Sequence, residues 1–332
     1  MEDNTQIPNT QGNNPSKADT SKESNETKKK DSLLSIAGIK RVYEDEYKKL
    51  LIIPFALLMI ALIVIGVQIA KTGDFIYRDV SLKGGVTITV PIDKEINIKD
   101  MKQSIQSKFP SNEIETKSIS RFGKPIGIVV EADIGREDVG KLVGETGRYL
   151  GKELAQKDYS VEVVGSSLGT SFFKEAIIAL CVAFVFMAIV VFLYFRTFVP
   201  SAAVIIAAFS DIVLTLAAVN ALGMKISSAG IAAFLMLIGY SVDTDILLST
   251  RVLKRKEGTV MDRVYGSIST GMMMTVTALI AVLMGMIVTQ SDVIRQIMII
   301  LFIGLLADII NTWIQNVGIL RLYLEKKARK TQ

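Results

Sequence analysis

Residues 226–257 read ISSAGIAAFLMLIGYSVDTDILLSTRVLKRKE, and this stretch decides the fold. It is apolar over about the 20 residues that a helix needs to cross a bilayer. It closes on a basic cluster, Arg251, Lys254, Arg255 and Lys256, of the kind that marks the cytoplasmic end of a span. Two carboxylates, Asp243 and Asp245, interrupt it. A charge inside hydrocarbon costs about 3 kcal/mol on insertion scales, so an acid within a span is a functional candidate.

The composition fits a chain built around such segments. Half of the 332 residues are hydrophobic, more than most water-soluble domains carry. The net charge is +5, but the cations sit at the ends of apolar segments, which points to membrane orientation and not to nucleic acid. The absence of histidine removes Ser-His-Asp hydrolysis, Cys-His proteolysis and His-ligated metal sites. The single cysteine, Cys181, forms no intramolecular disulfide and no Cys-rich metal site. In its apolar run it is expected to pack as a small residue. No metal and no cofactor are expected.

Working outward, residues 1–31 are almost wholly polar and read as a disordered cytoplasmic tail. Residues 32–49 are amphipathic. A helix on the membrane surface and a partly ordered linker both fit them. The first span is expected at 50–70, and Lys48 and Lys49 before it place the N-terminus in the cytoplasm. Residues 71–171 change character. Alternation at Val86, Ile88 and Val90 marks a strand. Residues 98–109 have helical spacing, and 113–120 and 126–132 read as strands joined at Gly123, Lys124 and Pro125. Residues 136–156 read as a helix and 160–164 as a strand. The order β-α-β-β-α-β is that of the ferredoxin-like motif.

Five further spans follow within 172–323, at about 172–194, 201–222, the opening stretch, 270–288 and 296–323. The methionines of the fifth, Met272–Met274, Met284 and Met286, are expected to fill core gaps. Residues 324–332 form a basic cytoplasmic tail. The short outer loops carry only Lys225 and Arg295, so both termini are expected in the cytoplasm of a multi-pass cell-membrane protein. The fold class is thus an all-α membrane bundle of six helices, with one extracytoplasmic α+β ferredoxin-like domain between helices 1 and 2.

Four acids fall inside the spans: Asp211, Asp243, Asp245 and Asp308. At 1.5 Å rise per residue they lie within roughly 10 Å of one depth, with no lysine or arginine level with them. They must be protonated, hold a cation or face a wet cleft. Asp243 and Asp245 are two apart and point to opposite sides of one helix: at least one faces inward, and the other is available to a partner. Asn311 and Gln315 extend a polar stripe from Asp308, and Ser241 and Ser249 flank Asp245. Acids that merely hydrogen-bond a neighbouring helix remain an alternative to an ion or proton path.

The motifs match a known family. Gly239-Tyr240-Ser241-Val242-Asp243-Thr244-Asp245, followed by Arg251-Val252, resembles the fourth span of the SecF branch of the SecD/SecF protein-export family. Ser81-Leu82-Lys83-Gly84-Gly85-Val86 is similar to that family's Phe-Lys-Gly-Gly-Thr signature. Residues 164–169 resemble its Val-Gly-Pro segment, and Phe195-Arg196 with Asp211 resembles its third-span entry. The chain departs from the bacterial pattern. The bacterial SecF acid aligns with Thr244, Asp243 aligns with the SecD acid, and Gly271 stands where bacterial members place an arginine. The pattern looks like the archaeal branch. The resemblance implies a non-enzymatic accessory subunit that pairs with a SecD-like subunit and assists the SecY translocation channel. Its partners would be the translocating polypeptide and membrane lipid. Ion flow through Asp243 or Asp245, with Asp211 and Asp308 auxiliary, would drive the outer domain. A half-size solute or lipid exporter of the resistance-nodulation-division superfamily and an intramembrane aspartyl protease are the alternatives.

Overall fold

The computed structural model describes residues 43, 46–121, 124–255, 257–289 and 291–331. The expected tail at 1–31, most of the amphipathic segment at 32–49, Gly123 of the expected turn and Lys256 of the basic cluster lie outside them. The chain divides into two compact units, Met1–Leu50 and Leu51–Gln332. Of the first, Tyr47–Leu50 forms a single helical turn.

The second unit holds the bundle and a sheet. Helix α1 spans Ile52–Thr72 and stops at Gly73, whose φ of 77° gives the left-handed cap. A one-turn helix, α2 (Val80–Lys83), is capped by the Asp79 carboxylate and was not expected from the sequence. Then come β1 (Gly85–Pro91), α3 (Ile98–Gln106), β2 (Ile114–Arg121), β3 (Lys124–Ala132), α4 (Val139–Leu150) and β4 (Ser160–Val164). The helix expected at 136–156 is shorter at both ends. It enters through a 3₁₀ turn, Arg136–Asp138, and stops at Gly151, φ 66°. The strands make one sheet of order β2-β3-β1-β4, every neighbouring pair antiparallel.

Alternation divides the sheet's faces. Val86, Ile88, Val90, Ile128, Val130 and Ala132 point to one side and form a buried core with Met101 and Ile105 of α3 and Leu142 of α4. The opposite face carries polar groups. Register places Glu115 beside Glu131, Glu131 beside Thr87 and Thr87 beside Glu162, a row across the whole sheet.

The remaining helices are α5 (Ser166–Phe195), α6 (Phe198–Ala221), α7 (Ser228–Lys254), α8 (Val260–Val288) and α9 (Asp292–Ile310). A π-helical turn, Asn311–Asn316, joins α9 to α10 (Val317–Thr331). Among the described residues, six helices are long and apolar enough to cross a membrane, so the protein is a multi-pass helical membrane protein with a small antiparallel sheet. The basic segment 324–332 continues α10 through Thr331. Helices α6 and α7 lie at the centre of the bundle, while α1 and α5 expose most of their apolar surface. Cys181 is exposed on α5, and Met273, Met274 and Met284 are exposed on α8. Neither the cysteine nor these methionines fill the core; they face outward.

Candidate functional site

Three of the four acids come together. Asp211 of α6, Asp245 of α7 and Asp308 of α9 are each fully buried. The Asp211 carboxylate accepts from the Ser241 hydroxyl at 2.5 Å and from Asn311 Nδ2 at 2.7 Å. Asp245 Oδ1 accepts from Asn316 Nδ2 at 2.7 Å. The Thr312 hydroxyl lies 2.9 Å from Asp245 Oδ1 and 2.9 Å from Asp308 Oδ1. A hydroxyl owns one hydrogen, so Thr312 cannot donate fully to both carboxyls. Gln315 Nε2 donates to Ser210 Oγ at 3.2 Å and closes the polar layer.

The π-turn makes this layer possible. In an α-helix, residues five apart point about 140° away from each other. The wider i→i+5 turn brings Asn311, Thr312, Gln315 and Asn316 all inside, each fully buried. Asn311 thereby reaches Asp211 on one neighbour, and Asn316 reaches Asp245 on another. Tight helix contact supports the layer. A side chain at Gly304 would collide with Leu237, and one at Gly271 with the Trp313 ring.

The layer holds acceptors in excess. Asp245 Oδ2, Asp308 Oδ2, Asn311 Oδ1, Gln315 Oε1 and Asn316 Oδ1 are buried and accept no hydrogen bond. Leaving such groups bare costs about 1–3 kcal/mol each. Among the described residues no lysine or arginine pairs with any of the three acids, and no group of three or more acid, His or Cys side chains is arranged to hold a metal ion. Arg251 turns away to donate to Gly266 O at 2.7 Å and Thr270 Oγ1 at 2.8 Å.

Asp243 stands apart. It is exposed on the outward side of α7, with Met236 and Tyr240 also exposed and Gly239 meeting nothing within 4 Å. The two acids of one helix therefore occupy different environments. The motif glycines have a different task. Gly84 (φ 88°) and Gly85 (φ 138°) leave α2 in conformations that L side chains rarely adopt. A Cβ on Gly84 would fall 2.3 Å from Ser166 Cα, and one on Gly169 would fall 2.5 Å from Gly84 N. These glycines cross the start of α5 against the entry to the sheet. Lys83 reaches Glu113 at 3.1 Å.

The protein-export description "SecD/SecF, C-terminal" matches residues 147–326, more than half of the chain. The chain belongs to the SecD/SecF protein-export membrane family. A SecF of Methanocaldococcus jannaschii is 37% identical over 292 residues, covering 86% of this chain and 99% of that protein. A SecF of Pyrococcus furiosus is 39% identical over 294 residues, 88% and 96% of the two chains. The fold is similar to that of a Thermus SecDF described as translocon-associated, with TM-score 0.68 at 19% identity. That match covers 85% of this chain and 38% of the SecDF chain. This SecF-type chain is thus a protein-export membrane subunit, and its relatives are named as such subunits and not as enzymes.

Sequence reasoning for this SecF-type chain missed Thr312 and Asn316. Thr312, four residues after Asp308, carries a legible signal, since α-helical phase puts it about 40° from that acid, nearer than Asn311; Asn316, eight residues after, lies about 80° away and comes in only through the π-turn. Ser210, which accepts from Gln315, carries no such signal, because a lone hydroxyl in an apolar span can bond its own helix backbone.

Proposed function

We propose that this chain is the SecF half of a SecD–SecF accessory unit of the Sec translocase and that Asp245, Asp308 and Asp211 exchange a proton or sodium ion during export. The observation that carries the reading is the shared Thr312 hydroxyl between two buried carboxyls that have no cationic partner among the described residues. Three uncompensated charges packed this way would each cost several kcal/mol. A proton or small cation relieves both the charge and the surplus of acceptors. Binding and release of that ion change which of these bonds can form, and the bonds tie three helices together. Asp245 is the residue placed to bind the ion directly. The domain of 71–171 is read as a ferredoxin-like split βαβ unit on the extracytoplasmic side, with both termini in the cytoplasm. It is placed to meet the SecY channel and the emerging polypeptide.

The outward face of α7 supports pairing with SecD. An aspartate facing lipid at mid-depth is costly, and Gly239 beside Asp243 lets a second helix approach closely. Asp243, with Tyr240, then belongs to the subunit interface and not to the ion site. The test is Asp245→Asn in the complex reconstituted with SecD and the channel. Export is expected to fall at least tenfold, with insertion and pairing unchanged. Export at the unmodified rate would contradict the assignment.

A further inference from the structure

The bundle and the sheet have separate hydrophobic cores, and between them lie open cavities lined by polar and apolar side chains together. A cavity of about 380 Å³ separates the sheet's polar face from the outer end of the bundle; Asp79, Thr87, Lys117, Glu131, Ser228 and Gln296 line it. A second, of about 310 Å³, opens beside Lys225. No close-packed apolar surface fastens the two parts there.

Besides the glycine crossing of α2 on α5, the fastening is a short loop, 222–227, that bonds to the linker after α1, to Glu113 and Glu115, and to α9. The Lys225 ammonium lies 2.9 Å from Glu113 and 3.4 Å from Glu115, both at the start of β2. Lys83 and Lys102 flank the same glutamates at 3.1 Å each. Ile226 bridges to the linker after α1: its N–H donates to Tyr77 O at 2.6 Å and its carbonyl accepts from Asp79 N at 3.0 Å. Gln296 of α9 donates to the Lys225 carbonyl at 2.5 Å. Its Oε1 accepts from the amide and the hydroxyl of Ser227, the N-cap of α7. A Cβ on Gly230 would fall 2.9 Å from that oxygen, so the glycine admits the amide. The outer ends of α7 and α9, the helices that carry Asp245 and Asp308, are therefore clasped to one loop, and Lys225 passes that loop's position to the sheet.

We propose that Lys225 and its glutamates form a releasable ionic joint that opens in each export cycle, so that rearrangement of α7 against α9 can move the sheet. This deepens the export reading and rests on it. The chemistry suits a joint. Ion pairs exposed to water hold weakly and exchange readily, whereas an apolar seam would have to expose its core to part. The charge states are secured. The Lys225 hydrogen bond holds the Glu113 carboxyl below its usual range. Burial works against the Lys225 ammonium, and Glu113 and Glu115 outweigh it, so its pKa lies above the ordinary value.

The chain's single cysteine makes the test direct. In a Cys181→Ser background, Lys225→Cys and Glu113→Cys are joined by a short thiol cross-linker that reductant cleaves, in the full complex in vesicles. Export is expected to fall at least tenfold on cross-linking and to recover on cleavage, which also shows that the variant is folded. Equal export before and after cleavage would overturn the joint. The two readings fail separately. Unimpaired export in Asp245→Asn removes the ion site and leaves the joint, while unimpaired export in the cross-linked protein removes the joint and leaves the acids.

Discussion

The acid layer within the bundle and the glutamates beneath the sheet solve one electrostatic problem in opposite ways. Under the sheet, Glu113, Glu115 and Glu131 each have a lysine: Lys83 and Lys225, Lys102, and Lys117 at 2.5 Å. Around Asp211, Asp245 and Asp308 the partners are neutral hydroxyls and amides. A carboxylate with a fixed cation has no need of a mobile one. A carboxylate held only by neutral donors in a dry interior does, and the surplus acceptors beside Thr312 leave room for its bonds. On the proposed reading, the difference separates acids that exchange an ion from acids that hold structure.

That contrast can be broken or sharpened by substitution. The largest effect is expected from Asp308→Asn together with Asp245→Asn, with export lost at least tenfold and the protein still inserted. A matched Glu113→Gln and Glu115→Gln pair should leave the acid layer's response to ions intact. Next is Thr312→Val. It removes the hydroxyl between two carboxyls, takes from Asp308 its hydroxyl donor and leaves Asp245 with Asn316 alone, and should lower stability in detergent by about 1–3 kcal/mol. Thr312→Ser should recover most of it.

Glu131 is a middle case. Burial first, and Asp79 second, push its carboxyl up to about 7 despite Lys117. Between about pH 4.5 and pH 7 the folded chain then keeps a proton that the unfolded chain has released. Stability should fall as pH rises through that window, by about 1–3 kcal/mol, and level off above it. Glu131→Gln should flatten the profile; an unchanged slope would reassign it. The smallest effect is expected at Lys225→Met. Its partly exposed pairs contribute at most about 1 kcal/mol, and the loss should shrink as salt is added.

Much of the architecture can be read from residue patterns. The spans follow from apolar length, and β1 follows from Val86, Ile88 and Val90 alternating with threonines. The common depth of Asp211, Asp243, Asp245 and Asp308 follows from helical rise, but not which of them converge. Other features depend on contacts that sequence spacing does not carry. The π-turn changes the helical phase at Asn311, so Thr312 and Asn316 join the acids although α-helical counting ranks Gln315 above them. Spacing says that Asp243 and Asp245 face opposite ways, yet not which faces in; the packing of α6 and α9 on one side of α7 decides it. Gly271 reads as a missing side chain until Trp313, over forty residues later, is seen to fill its place.

The most direct test imposes a proton or sodium gradient on vesicles holding the complete complex and follows export. Ion exchange at the Thr312 layer requires that one of the two gradients speed export in the unmodified complex and that Asp245→Asn abolish that acceleration while Asp243→Asn retains it. Equal acceleration in the unmodified complex and in Asp245→Asn would contradict it.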